Sequence, residues 1–173
     1  MTFQKSPKEV KFSTLQVAGA VKELAGDVWL PSIYAGKVRT LRTRAHQLGV
    51  AAKENKTEIQ YTLLGVELKV SKQRITCPDL ATARFLQVFA RLGCAAVAIP
   101  YDITKISVLA DELESAWQRS LLLLGQVSND KNLAINKSRA ALVKELRREI
   151  EEIGAGAVMP EFNQNTKQRI NKK

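Results

Sequence analysis

The feature that most constrains the fold is a change of hydrophobic period near the middle of the chain. Residues 58–63 and 66–70 alternate polar and apolar side chains around Leu64-Gly65, a pattern typical of a β-hairpin with one buried face. A third extended segment, 74–76, follows a turn at residues 71–73. On both sides of this region apolar residues recur every three or four positions, which predicts amphipathic helices.

Two helices are predicted before the hairpin. Ser13 or Thr14 is expected to cap the first helix, which should end at Gly26-Asp27, since glycine favours the position just after a helix. The second is predicted over residues 31–48, because proline suits a first helical turn and Gly49 suits the position after the last turn.

A helix and a strand are predicted directly after the hairpin. Thr76, with Asp79 three residues on, resembles the start of a helix, and Gly93 is expected to end it. The apolar run Cys94–Ile99, closed by proline, predicts a buried strand. The middle of the chain is therefore predicted to be a β-β-α-β sheet unit.

Two more helices are predicted after Asp102. The first has an inner face formed by Ile103, Ile106, Ala110, Leu113 and Trp117, and it continues into Leu121–Leu124. Asn129-Asp130 is expected to interrupt it, and Gly154 to end the last helix.

The predicted fold class is therefore α+β, with an all-α bundle carrying a minor hairpin as the alternative. We expect a single domain over residues 1–158 and a mobile basic tail over 159–173. Within the domain, the sequence predicts an N-terminal helical pair (13–49), the β-β-α-β unit (57–100) and C-terminal helices (102–154).

Composition excludes several classes of protein. The 173 residues are 45% hydrophobic and 25% charged, as in ordinary globular domains. The longest apolar runs, Cys94–Pro100 and Leu121–Leu124, are far shorter than the roughly 18 residues that span a bilayer, and the N-terminus lacks the apolar segment of a signal peptide. Two isolated cysteines suit a reducing compartment. We expect a cytoplasmic protein that does not contact membranes.

The sequence contains no recognisable catalytic, metal or cofactor site. His46 is its single histidine, Cys77 and Cys94 lie in unrelated contexts, and no phosphate-binding glycine loop is present, so neither zinc nor a nucleotide cofactor is expected. Cys77 precedes the predicted helix start, a position that favours a lowered thiol pKa, but no base is expected within its reach. The acids at 111–114 are typical of a solvated helix face. The protein is predicted not to be an enzyme.

The most informative chemical feature is positive charge, with a net value of +10. If residues 31–48 form a helix, one face carries Tyr34, Val38, Leu41, Ala45 and Leu48. Cationic side chains and the histidine then flank that face: Lys37, Arg39, Arg42, Arg44 and His46. No acidic residue occurs between Lys37 and Lys53, although solvated helices usually carry compensating acids.

This basic helix predicts a nucleic-acid-binding protein or a subunit of a nucleoprotein complex. Lys37, Arg39, Arg42, Arg44 and His46, helped by Lys72 and Arg74, would contact DNA or RNA phosphates, and other protein subunits are further expected partners. A protein-interaction adaptor is the alternative, with Trp117 and Leu121–Leu124 exposed as a docking stripe. Two plainer interpretations remain: the charge serves solubility, or the arginines pair with the acids at 111–114.

Overall fold

A computed structural model of the chain describes residues 7–131 and 134–156, with side chains described over 16–128 and 134–156. The elements, in chain order, are α1 (Pro7–Ala25), α2 (Leu30–Ile33, prolonged by a π-helical turn at Tyr34–Val38), β1 (Thr43–Gln47), β2 (Thr57–Thr62), β3 (Gly65–Val70), β4 (Gln73–Cys77), α3 (Leu80–Leu92), β5 (Ala96–Pro100), α4 (Ile103–Lys131) and α5 (Ile135–Ile153). The predicted α+β class is confirmed, and the all-α alternative is wrong.

The strands of the described residues form two separate antiparallel sheets. One has three strands in the order β2-β3-β4, and the other pairs β1 with β5. The hairpin and the third extended segment are therefore confirmed. The prediction of one β-β-α-β sheet is wrong, because β5 pairs with β1 over Thr43↔Pro100 to Gln47↔Ala96.

The predicted helix over residues 31–48 is also wrong in its second half. Helical structure ends at Val38, and the chain then enters β1. Pairing with β5, which is buried over residues 97–100, overrides the weak helical period, since strand pairing depends on distant partners. Gly49 follows a strand rather than a helix.

Two predicted helix starts lie elsewhere in the structure. Helix α1 begins at Pro7, so Ser13 and Thr14 lie inside it. Asp79, and not Thr76, caps α3: its carboxylate accepts a hydrogen bond of 2.7 Å from the backbone N–H of Thr82. Thr76 is still paired within β4. The predicted end at Gly93 is confirmed, with a left-handed φ of +80°.

Helix α4 is longer than predicted. It runs through Asn129-Asp130 without a break, and Ile103 is exposed instead of lying on the inner face. The rest of the predicted inner face is buried, and α5 ends before Gly154 as predicted.

The hydrophobic core joins both sheets to the helices. Helix α1 packs on α4 and α5, while α3 packs on α4 and on the three-stranded sheet. The largest fully buried side chains come from several elements: Trp29, Tyr34, Phe85, Phe89 and Trp117. The predicted tail, 159–173, lies outside the described residues. No helix of the described part is long and apolar enough to cross a bilayer.

Candidate nucleic-acid interface

The predicted basic helix does not exist, and its cations separate into different surroundings. Lys37 forms an ion pair of 2.7 Å with Glu112 of α4. Arg39 is half-buried and donates through Nη1 to the carbonyl oxygen of Gly156 at 2.7 Å and to the hydroxyl of Thr43 at 3.3 Å. Both cations therefore have partners within the protein. The plainer interpretation named the arginines as partners of the acids at 111–114, but the cation that pairs there is Lys37, and Arg39 contacts a backbone carbonyl instead.

Arg42 and Arg44 remain exposed and share an aromatic neighbour. Their guanidinium carbons lie 4.8 and 5.9 Å from the ring centroid of Tyr101, which is 53% exposed. Such distances allow cation–π attraction. His46 is half-buried in β1 opposite Val97, with a buried Nδ1 that has no hydrogen-bond partner among the described residues.

The last two predicted residues lie on the three-stranded sheet. Lys72 is exposed in the β3–β4 turn. Arg74 lies in β4, and its Nη1 is 3.9 Å from a carboxylate oxygen of Glu67, a weak pairing for so exposed a guanidinium. Of the seven predicted residues, Lys72 alone lies at the cationic cleft described next.

This cleft is built around the loop that joins β1 to β2. Asn55 anchors the loop to the end of α3: its side-chain amide donates to Ala51 O at 2.9 Å and Ala90 O at 3.1 Å, and its backbone N–H donates to Arg91 O at 2.9 Å. The bond to Arg91 O satisfies a carbonyl group that the helix end leaves free, whereas Ala90 O also accepts from the backbone N–H of Gly93 at 3.1 Å. The buried Asn55 therefore fixes where the neighbouring lysines lie.

A glycine allows the loop to approach α3 so closely. Gly93 has a φ of +80°, and a Cβ at this position would meet the backbone of Lys53 and come within 2.7 Å of Ala51 O. Any other residue would strain the backbone and displace the loop.

Helix α5 holds the loop from the other side. Arg139 Nε donates to both carboxylate oxygens of Glu54 at 2.8 and 2.9 Å, and Nη2 also donates to Glu54. Hydrogen bonding to that carboxylate raises the pKa of Arg139. Arg147 donates to Leu92 O at 3.1 Å. Arginines of α5 thus connect the loop and the end of α3.

Between these elements lies an open cleft of about 780 Å³. Its charged lining consists of five cations and two acids: Lys56, Lys69, Lys72, Arg91 and Arg139 with Glu54 and Glu58. We call this the cationic cleft. A neighbouring depression of about 730 Å³ shares the loop and adds Lys53, Lys144 and Arg147.

The positive charge of the cationic cleft is only partly neutralised. Arg91 pairs with Glu114 at 2.8 Å and Arg139 pairs with Glu54. Within the described side chains, Lys56, Lys69 and Lys72 form no ion pair. Uncompensated lysines along a groove attract anions and favour polyanions that contact several at once.

The sequence contained a weak signal for this surface. Lys53 and Lys56 stand just before the hairpin, but their segment has no periodic pattern that would indicate a shared face. Arg91 and Arg139 come from helices far apart in the chain, so only the tertiary fold brings them beside the loop.

The cysteines and acids offer no alternative chemistry. Burial raises the pKa of Cys77 to about 11 and that of Cys94 to about 12, so both thiols stay protonated near neutral pH. No cluster of three metal-ligating side chains occurs in the described part of the chain.

The stripe predicted for a protein adaptor is largely core. Trp117 is 2% exposed, and Leu123 and Leu124 are buried. Leu122 is 65% exposed, but it lies on another face of the helix. One exposed leucine is ordinary for a protein surface.

Comparison with known proteins identified no protein similar to this chain. No protein-family model matches the chain, and neither the curated proteins nor the solved structures yielded a significant match.

Proposed function

We propose that this protein binds nucleic acid through the cationic cleft and performs no chemistry of its own. The observation that carries the proposal is a groove whose lysines, Lys56, Lys69 and Lys72, have no carboxylate partner while its arginines are held in place by acids. A subunit of a nucleoprotein complex fits this arrangement.

The lining chemistry favours the phosphate backbone over the bases. Lysines act as point charges toward phosphates, and Arg91 and Arg139 reinforce the field without leaving their partners. None of the described residues that line the cleft is aromatic, so base stacking is not expected there. Binding should therefore be strongly salt-dependent and largely independent of sequence.

A salt series tests the proposal with a charge-matched control. The test variant is Lys56→Gln/Lys72→Gln, and the control is Lys105→Gln/Arg119→Gln on α4. Arg119 lies beside Asp111 and Glu112, where a phosphate would be repelled. Binding to labelled single- and double-stranded DNA and RNA is measured from about 50 to 200 mM salt.

We expect the test variant to lower the slope of log K against log salt by about one unit per lysine. The control should leave the slope nearly unchanged, although the net charge falls equally. Equal salt slopes in the two variants would show that binding depends on the overall positive charge of the protein. That result would reject the cationic cleft as the binding site. Failure of the wild-type protein to bind any of the four polymers at low salt would reject the function itself.

A further inference from the structure

The tip of the β2–β3 hairpin carries the most exposed apolar side chains of the described residues. Leu63 and Leu64 form the two-residue turn and are fully exposed, and the neighbouring Tyr61 is 73% exposed. Turns of this kind normally carry polar residues or glycine. Two adjacent exposed leucines beside an exposed tyrosine form a candidate interaction site.

Hydrogen bonds of Thr62 define the backbone of the turn. The Thr62 hydroxyl accepts a hydrogen bond from the backbone N–H of Leu64 at 3.2 Å and donates to Gly65 O at 3.2 Å. Gly65 adopts a φ of +132°. Both leucines project into solvent from this turn.

The same hairpin leads directly from the tip to the cationic cleft. At its far end Thr57 pairs with Val70, and Thr57 lines the cleft together with Lys56 and Lys72. At the rise of an antiparallel strand, the six residues of β2 place the tip roughly 20 Å from the cleft. A long polymer bound in the cleft can therefore reach the tip.

Other occupants of the tip fit less well. The exposed cluster consists of three side chains, whereas a stable interface uses roughly 20–30 residues on each partner, so the tip by itself would not hold a second copy. An anionic bilayer would require cations beside the inserted leucines. Residues 60–67 contain no lysine or arginine, and Lys72 lies at the opposite end of the hairpin.

We propose that the tip inserts Leu63 and Leu64 between neighbouring base pairs of duplex DNA and kinks it. Apolar wedges entering from the minor groove act in this way. The proposal rests on the proposed function, because the cleft would hold the backbone about six base pairs from the wedge. A tip without cations suits this position, since leucines enter the base stack while the lysines stay on phosphates.

Single strands are a poorer match for the tip. Stacking of free bases uses aromatic side chains, and Tyr61 alone is aromatic there. Duplex RNA is also disfavoured, because its minor groove is wide and shallow.

The test compares Leu63→Gln/Leu64→Gln with the control Leu24→Gln/Leu122→Gln, which changes two other exposed leucines. A duplex of about 30 base pairs carries a donor and an acceptor dye at its ends, and a second duplex carries 2-aminopurine to report unstacking. All proteins are added at saturating concentration, and duplex RNA is measured in parallel.

Wild type and control should raise energy transfer and 2-aminopurine fluorescence on DNA. The tip variant should bind with an unchanged salt slope, within about threefold in affinity, and lose both signals. Binding without bending by the wild type, equal bending by the tip variant, or a response on RNA alone would overturn the wedge while leaving the cleft intact. Absence of any binding would overturn both proposals.

Discussion

Tyr34 links three parts of the molecule through one hydroxyl group. Its oxygen accepts a hydrogen bond from the backbone N–H of Ala98 in β5 at 3.0 Å, and its O–H donates to Gly154 O after α5 at 2.6 Å. The ring also lies 5.4 Å from that of Phe89. Burial raises the pKa of this hydroxyl, so it remains protonated and able to donate.

Tyr34→Phe should destabilise the protein by about 1–3 kcal/mol, because the buried N–H of Ala98 would lose its acceptor. The ring packing is kept, so the loss reports the hydroxyl alone. Urea unfolding followed by circular dichroism measures it. Tyr61→Phe is the control, and its exposed hydroxyl should contribute less than about 0.5 kcal/mol. Similar losses in both variants would contradict the assigned role of Tyr34.

Single residues also show why the site was only partly predictable. Lys72 was predicted as an additional phosphate contact, and it lines the cleft. Lys37 and Arg39 were assigned to phosphate contact from helical geometry, but Glu112 and Gly156 O hold them. Those partners lie 75 and 117 positions away, and sequence periodicity contains no information at that range.

At the scale of elements, substitutions at the start of α3 test which residue caps this helix. The Asp79 carboxylate accepts from the N–H of Thr82, whereas Thr76 belongs to β4. Asp79→Ala should therefore cost about 0.5–2 kcal/mol. Thr76→Ala, at an exposed strand position, should cost less. Thermal and urea unfolding measure the free energy of unfolding of both variants. A larger loss for Thr76→Ala would place the helix cap at Thr76, as the sequence predicted.

Elements whose structure depends on local sequence patterns were predicted well. Strict alternation fixed β2 and β3, and glycine at position 93 fixed the end of α3. The segment 39–47 was predicted wrongly because its apolar residues fit a helical period by chance. Gly36 and the β-branched Thr40 and Thr43 weaken helix propensity there, yet the partner that makes β1 a strand is β5.

At the scale of the whole molecule, Glu54 supports stability but would oppose the proposed binding. Its pairing with Arg139 fastens α5 to the loop, while its charge opposes an incoming phosphate. Glu54→Gln should lower stability by up to about 1 kcal/mol. It should also tighten nucleic-acid binding about three- to fivefold, as expected for removing one nearby like charge.

Binding titrations and urea unfolding measure the two effects on the same protein. The control is Glu23→Gln, an equal charge change on an exposed residue of α1. It should leave stability unchanged and improve binding much less. Weaker binding by Glu54→Gln would mean that the ion pair organises the cleft more than its charge opposes phosphate.

The pairing of β1 with β5 joins residues 49 to 57 positions apart, and it has a consequence for synthesis. The ribosome synthesises β1 well before β5. The backbone N–H and C=O groups of β1 that pair with β5 therefore lack these partners until β5 has been made. The three-stranded sheet can form while the chain leaves the ribosome, because its paired residues are at most 13 positions apart. The cationic cleft needs Arg139 as well, so it exists only once most of the chain has been made.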